Sequence, residues 1–192
     1  MSIRRSFTVV GVLGGAAALL LALSLLGAGG TARKKAGGGG AAAKVKRGEY
    51  LTTLMSCVDC HTPGTFYGAP DFSRHLSGSE MGWKGAWGIT YARNLTPDME
   101  TGIGNWTADD IVKTLRTGVR PNGTGLNPPM PWQNYTHMTD EDAYAIAAYL
   151  KSLAPVKHPV PDRKIPGVEA TGSMIVFPPP TEWDAPRAAG QK

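Results

Sequence analysis

A helical domain, carried behind an apolar N-terminal segment and a glycine-rich tether, is the fold the sequence predicts. Three observations predict it. Apolar residues recur at helical spacing in three stretches, two of them opened by a capping threonine; no stretch alternates long enough to suggest a sheet; and the 25 glycines and 15 prolines collect mainly in the connections and tail. With 192 residues and 42% hydrophobic content the chain suits one core rather than two.

Residues 1–28 come first. "MSIRRS" is a short positive start, and the uncharged run from Phe7 to Ala28 follows it. As a helix that run would reach about 33 Å, enough for a hydrocarbon core of ~30 Å. A transmembrane anchor and a cleaved signal segment both satisfy this pattern, and the basic residues on its two flanks point in opposite directions. Residues 29–46, "GGTARKKAGGGGAAAKVK", have no apolar periodicity and the composition of a flexible linker.

The domain proper is expected over 47–156. Its first helix should run from about Lys46 into the cysteine motif, with Tyr50, Leu51, Leu54, Met55 and Val58 as its apolar stripe. The second opens at Thr107, with Asp110 in the capping-box position, buries Ile111, Val112 and Leu115, and stops at Gly118. The third repeats the device with Thr139 and Asp142. It turns Ala143, Ile146, Ala147, Leu150 and Leu153 inward, with Met138 placed to staple the entry. Residues 157–192 are proline-rich and non-periodic, an extended tail lying on the domain or on a partner.

The formal charge of +5 invites a nucleic-acid reading, but its distribution excludes one. Eight of the 20 basic residues precede Gly48 and all 15 acidic residues follow it, so the remainder carries 12 against 15, a balance of −3. A mildly acidic domain behind a basic leader has no footprint for nucleic acid.

Both cysteines lie in "CVDCH", Cys57 and Cys60 followed at once by His61. C-x-x-C-H is the attachment signature of c-type haem, in which two thiols add to the porphyrin vinyl groups and the adjacent histidine ligates iron. Residues three apart on a helix share a face, so both thiols reach one porphyrin edge. A thioredoxin-like redox pair would want a βαβ context that is missing, and a zinc site a second pair of ligands; His75, His137 and His158 would complete one only by accident of fold.

Those phrases, with "RGEYL" before the motif and "NLTPDMETGIGNWT", "GVRPNG" and "PPMPWQNYTHMTDEDAYAIAAYLKSLAPV" after it, resemble the class I c-type cytochromes. The likeness is to membrane-anchored mono-haem domains and to the cytochrome subunits of bacterial dehydrogenase and respiratory complexes. It implies an all-α, cytochrome c-like fold wrapped around one covalent haem c, with a distal loop delivering a methionine to iron. Met130 in "PPMPW" occupies that place; Met138 and then His137 are its rivals.

The resemblance implies periplasmic electron transfer, one electron at a time, between a respiratory donor and an acceptor such as an oxidase, rather than an enzyme's turnover of substrate. Its partners would be redox proteins, and its place the bacterial inner membrane with the haem domain facing the periplasm. The alternative is a haem-c sensor or small peroxidase-like enzyme with an exchangeable sixth ligand. Trp83, Trp87, Trp106 and Trp132 are candidates to line the porphyrin or simply to fill the core. Arg93 and Asn94 are candidates for its propionates, and Pro63 or Pro70 for the carbonyl that orients His61.

Overall fold

The computed structural model describes residues 39–179, so the leader, the first part of the linker and the last residues of the tail lie outside it. Helix α1 spans Gly39–Leu54. It therefore starts well before the expected boundary, and residues 39–46 are helix rather than linker. Ala41, Ala42 and Ala43 explain this, since alanine is the strongest helix former and propagates the turn backwards.

The expected stripe holds in part: Leu51, Met55 and Val58 pack against the core, but Tyr50 and Leu54 do not, and the crossing with the last helix, α4 (Asp140–Ser152), is made elsewhere on α1. Tyr50 and Leu54 are 53% and 62% exposed, whereas Thr52 is 1% exposed and Gly48 is buried. Close crossing of two helices selects small residues at the contact, which a search for large apolar side chains overlooks. Arg47 Nε donates to Asp142 Oδ1 at 2.9 Å beside the crossing, on the exposed rim.

Ser56, in the left-handed conformation (φ 55°), breaks the chain direction after α1, and α2 (Cys57–His61) starts a new short helix. Helix α3 (Ala108–Thr117) has the expected capping box: Thr107 accepts from the Asp110 N–H, Asp110 accepts from the Thr107 N–H, and Gly118 closes the helix at φ 68°. Thr139 caps α4 from one side only, its hydroxyl accepting from the Asp142 N–H, while Asp142 is drawn instead to Arg47. Ile111 and Val112 from α3 meet Ala143, Ile146, Ala147 and Leu150 from α4 in one core, to which Leu76 and Ile103 add from the intervening loops.

An entirely helical fold does not hold. Strands β1 (Gly82–Gly85) and β2 (Gly88–Tyr91) form a tight antiparallel hairpin with Trp83 opposite Thr90. The tail supplies β3 (Met174–Val176), which pairs parallel to β1 with Ile175 opposite Trp83. Each strand is only three or four residues long, too short to register as alternation, and β3 lies far from its partner in sequence.

The tail is thus part of the domain. Residues 156–164 form a strap: Asn94 Nδ2 donates to the Val156 carbonyl at 2.8 Å, the His158 ring lies between the Ser77 carbonyl and Glu80, and Ile89 and Lys164 exchange two backbone hydrogen bonds of 2.9 Å. Phe177 then packs against Trp83 and Trp87. Among the described residues no helix is long and apolar enough to cross a membrane; the expected anchor at 1–28 falls outside them.

Candidate haem site

Cys57, Cys60 and His61 all sit on α2, so the motif is presented as one turn of helix anchored against the core through Cys57 and Val58. Both cysteines are free and half-buried. Burial pushes the Cys57 thiol up to about 11 and raises Cys60 as well, so both are neutral thiols at physiological pH. No group of three His, Cys, Asp or Glu side chains able to hold a metal ion occurs among the described residues.

His61 is buried, and its Nδ1 donates to the carbonyl of Arg93 at 2.6 Å. The orienting carbonyl therefore belongs to Arg93, where the sequence had suggested Pro63 or Pro70. Proline punctuation near the motif was the only available cue, and the true partner lies 32 residues away. Burial lowers the affinity of His61 for a second proton, opposed by the Arg93 hydrogen bond. The ring is thus neutral, with its proton on Nδ1 and the lone pair on Nε2 left for a ligand. The backbone is held as well, since the Gly78 N–H donates to the His61 carbonyl at 2.7 Å.

Met130 is half-buried on a loop fixed at both ends. Upstream, the Thr90 hydroxyl donates to the Pro128 carbonyl at 2.7 Å; downstream, a 3-10 turn (Trp132–Tyr135) follows directly. Tyr135 in that turn is buried, and its phenol is pushed up to about 12, first by burial and then by the nearness of Cys57 and Cys60. The turn after Met130 thus runs beside the cysteine helix. Met138 instead packs into the hydrophobic core, and His137 is exposed.

A second feature, invisible in the sequence because its members are dispersed, is a cluster of arginines. Arg120 is depressed below its usual value by burial and by the proximity of Arg93 and Arg163. Arg120 donates to Thr124 Oγ1 and the Gly125 carbonyl, and Arg163 to the Trp87 carbonyl; neither has a carboxylate partner among the described residues. Arg93 has only Asp162, at 3.5 Å on the surface. The indole N–H of Trp87 is buried with no acceptor. Uncompensated positive charge and an orphaned donor suit a group that brings anionic oxygens. A c-type haem, with two propionates, fits this donor set and the thiol pair together. Asn94 is committed elsewhere: it is 1% exposed and bonded to Thr96, Thr101 and Val156.

The family model "Cytochrome c" matches residues 45–154. The chain is 39% identical over 107 residues to the cytochrome c subunit of the quinone-type alcohol dehydrogenase of Gluconobacter oxydans, covering 56% of this chain and 21% of that protein. Over 125 residues it is 40% identical to the gluconate 2-dehydrogenase cytochrome c subunit of Pantoea cypripedii, 65% of this chain and 26% of the relative. The fructose dehydrogenase cytochrome subunit of Gluconobacter japonicus is 35% identical over 123 residues, 64% and 24%. The chain thus spans about a quarter or less of these relatives' length. Most of the domain, from α1 through α4, is matched, and the C-x-x-C-H helix lies within the match: the chain belongs to the cytochrome c family.

Proposed function

We propose that this protein transfers electrons through a single covalently bound haem c, as a carrier or as the cytochrome subunit of a larger oxidoreductase. The observation that carries the reading is the pairing of two free thiols with a histidine whose Nδ1 is already bonded to Arg93, leaving Nε2 available on the same short helix. Cys57 and Cys60 would hold the porphyrin as thioethers, with His61 Nε2 and Met130 Sδ as axial ligands. When bound, the haem supplies a one-electron Fe(III)/Fe(II) couple, and a thioether ligand favours the reduced form.

The chain's own residues do the rest. The Arg93 carbonyl orients His61 and raises its basicity as a ligand, the buried Tyr135 lies beside the cysteines, and Arg120 and Arg163 would offer the propionates a cationic corner. Were His61 and Met130 both to ligate the iron, the haem would serve electron transfer rather than bind a substrate at the metal. Dehydrogenase-linked relatives support a redox-protein partner of that kind, and the apolar leader supports attachment to the inner membrane with this domain in the periplasm.

The test is a reduced-minus-oxidised spectrum and intact mass of protein made with haem-attachment machinery. One haem mass added covalently, a low-spin spectrum and a far-red sulfur-to-iron band are expected. A high-spin haem that binds CO would overturn Met130 ligation and leave the sensor or peroxidase-like alternative.

A further inference from the structure

The strap at 156–164 begins where the family match ends, at residue 154, yet it grips the segments that hold His61. Arg93 has two separate tasks. Its carbonyl accepts the His61 Nδ1–H at 2.6 Å, while its guanidinium reaches the strap, Nη1 donating to the carbonyls of Val160 at 3.2 Å and Pro161 at 2.9 Å. The other hold on His61, the Gly78 N–H, is backed by the same strap. A Cβ on Gly78, which has φ +94°, would meet the Val160 side chain at 2.5 Å, and the preceding Ser77 carbonyl lies 2.9 Å from His158 Nδ1. His158 is 7% exposed, and its Nε2 is 2.7 Å from Glu80.

We infer that the strap is the positioning element of the axial histidine, and that Arg93 transmits its hold: its side chain, clamped to Val160 and Pro161, fixes the carbonyl that receives the His61 proton. The inference rests on the haem reading above. Its physical basis is that a short Nδ1–H···O=C bond gives the imidazole anionic character, makes it a stronger donor to iron and favours Fe(III). Loosening the carbonyl should weaken that donation and raise the reduction potential. Removing the guanidinium charge should by itself do the reverse, since a nearby positive charge favours Fe(II). The two effects have opposite signs, so the potential discriminates between them.

The experiment compares holoprotein carrying Arg93→Met, which keeps an aliphatic stem but neither charge nor donors, with Arg93→Lys, which keeps the charge and loses the guanidinium fork. Potentials are measured by spectroelectrochemistry, and the His61 Nδ1 proton is followed by NMR in the ferrous state. The Met variant is expected to hold about threefold more Fe(II) at a fixed applied potential, ~30 mV at 59 mV per decade, with faster exchange of the Nδ1 proton. The Lys variant, which loses the fork but keeps the charge that favours Fe(II), should lie at or above the Met variant in potential, with the same faster exchange of the Nδ1 proton. Arg93 has a side chain 43% exposed, so loss of the fold is not expected; should the Met variant fail to fold, the Lys variant decides alone. A Met variant whose potential falls while its Nδ1 exchange matches wild type, or a Lys variant identical to wild type in both readouts, would overturn the inference and reduce Arg93 to a surface charge. A wild-type protein without covalent low-spin haem would overturn the haem reading, and this inference with it, before any variant is compared.

Discussion

Gly48 of α1 lies so close to Ala145 of α4 that a Cβ on the glycine would stand 2.0 Å from the Ala145 carbonyl oxygen and 2.7 Å from the Tyr149 Cβ. Backbone touches backbone there, and neither atom can swing aside. Gly48→Ala should therefore force the helices apart and destabilise the domain by ~1–3 kcal/mol despite alanine's better helix propensity. Urea denaturation of the holoprotein measures it; an unchanged midpoint would mean that the crossing yields freely.

The two candidate methionines should separate cleanly. Met130→Ala is expected to abolish the far-red sulfur-to-iron band and lower the reduction potential, because the thioether favours Fe(II). Met138→Ala, which trims a half-buried side chain packed against the core, should leave the band intact and cost about 1 kcal/mol of stability. Absorption spectra and melts on both variants assign the ligand, and a band lost only in Met138→Ala would reverse the assignment.

Covalent attachment should survive removal of either thiol alone. Cys57→Ala and Cys60→Ala are each expected to retain haem through one thioether on a denaturing gel, with the α-band displaced, while the double variant should lose haem entirely on denaturation. Retention by the double variant would contradict attachment through this motif.

Acid should loosen α3. Asp110 lies below the usual carboxylate value, chiefly because the Thr107 N–H and then its hydroxyl donate to it. A depressed folded-state value means that the stabilisation is fully present above the ordinary value of ~4 and is lost as pH falls below it. Asp110→Asn should flatten that part of the melting-temperature profile between pH 5 and 3 relative to wild type. Parallel profiles would show that the capping carboxylate carries none of the acid sensitivity.

What could be read in the sequence was what depends on neighbours along the chain. The capping box at Thr107, the Thr139 cap, the inner faces of α3 and α4, and the C-x-x-C-H turn all follow from local spacing, and the structure agrees with them, although Asp142 does not return the bond to the Thr139 N–H and so completes no box. What depends on distant approach was missed. Tyr50 and Leu54 looked like core because they are large and apolar, while Gly48 makes the contact because it is small, and Thr52 is buried in their place. The sheet failed to register because β3 meets β1 only through tertiary packing. The Arg93 carbonyl leaves no trace in residue identity, since every residue has one. The arginine cluster joins three positions from separate loops, which spacing alone cannot assemble.

The parallel pairing of β3 with β1 also bears on the order of events in folding. A parallel neighbour cannot arrive by a hairpin, so Met174–Val176 must return across the whole helical core before the sheet is complete. Closing so long a loop is entropically slow and comes after the local helices have formed. During synthesis the Cys57–His61 turn emerges well before the strap at 156–164 that braces it, so there is an interval in which the thiols are present and the strap is not. The architecture thus separates in time the chemistry done on the cysteines from the locking of the histidine beside them.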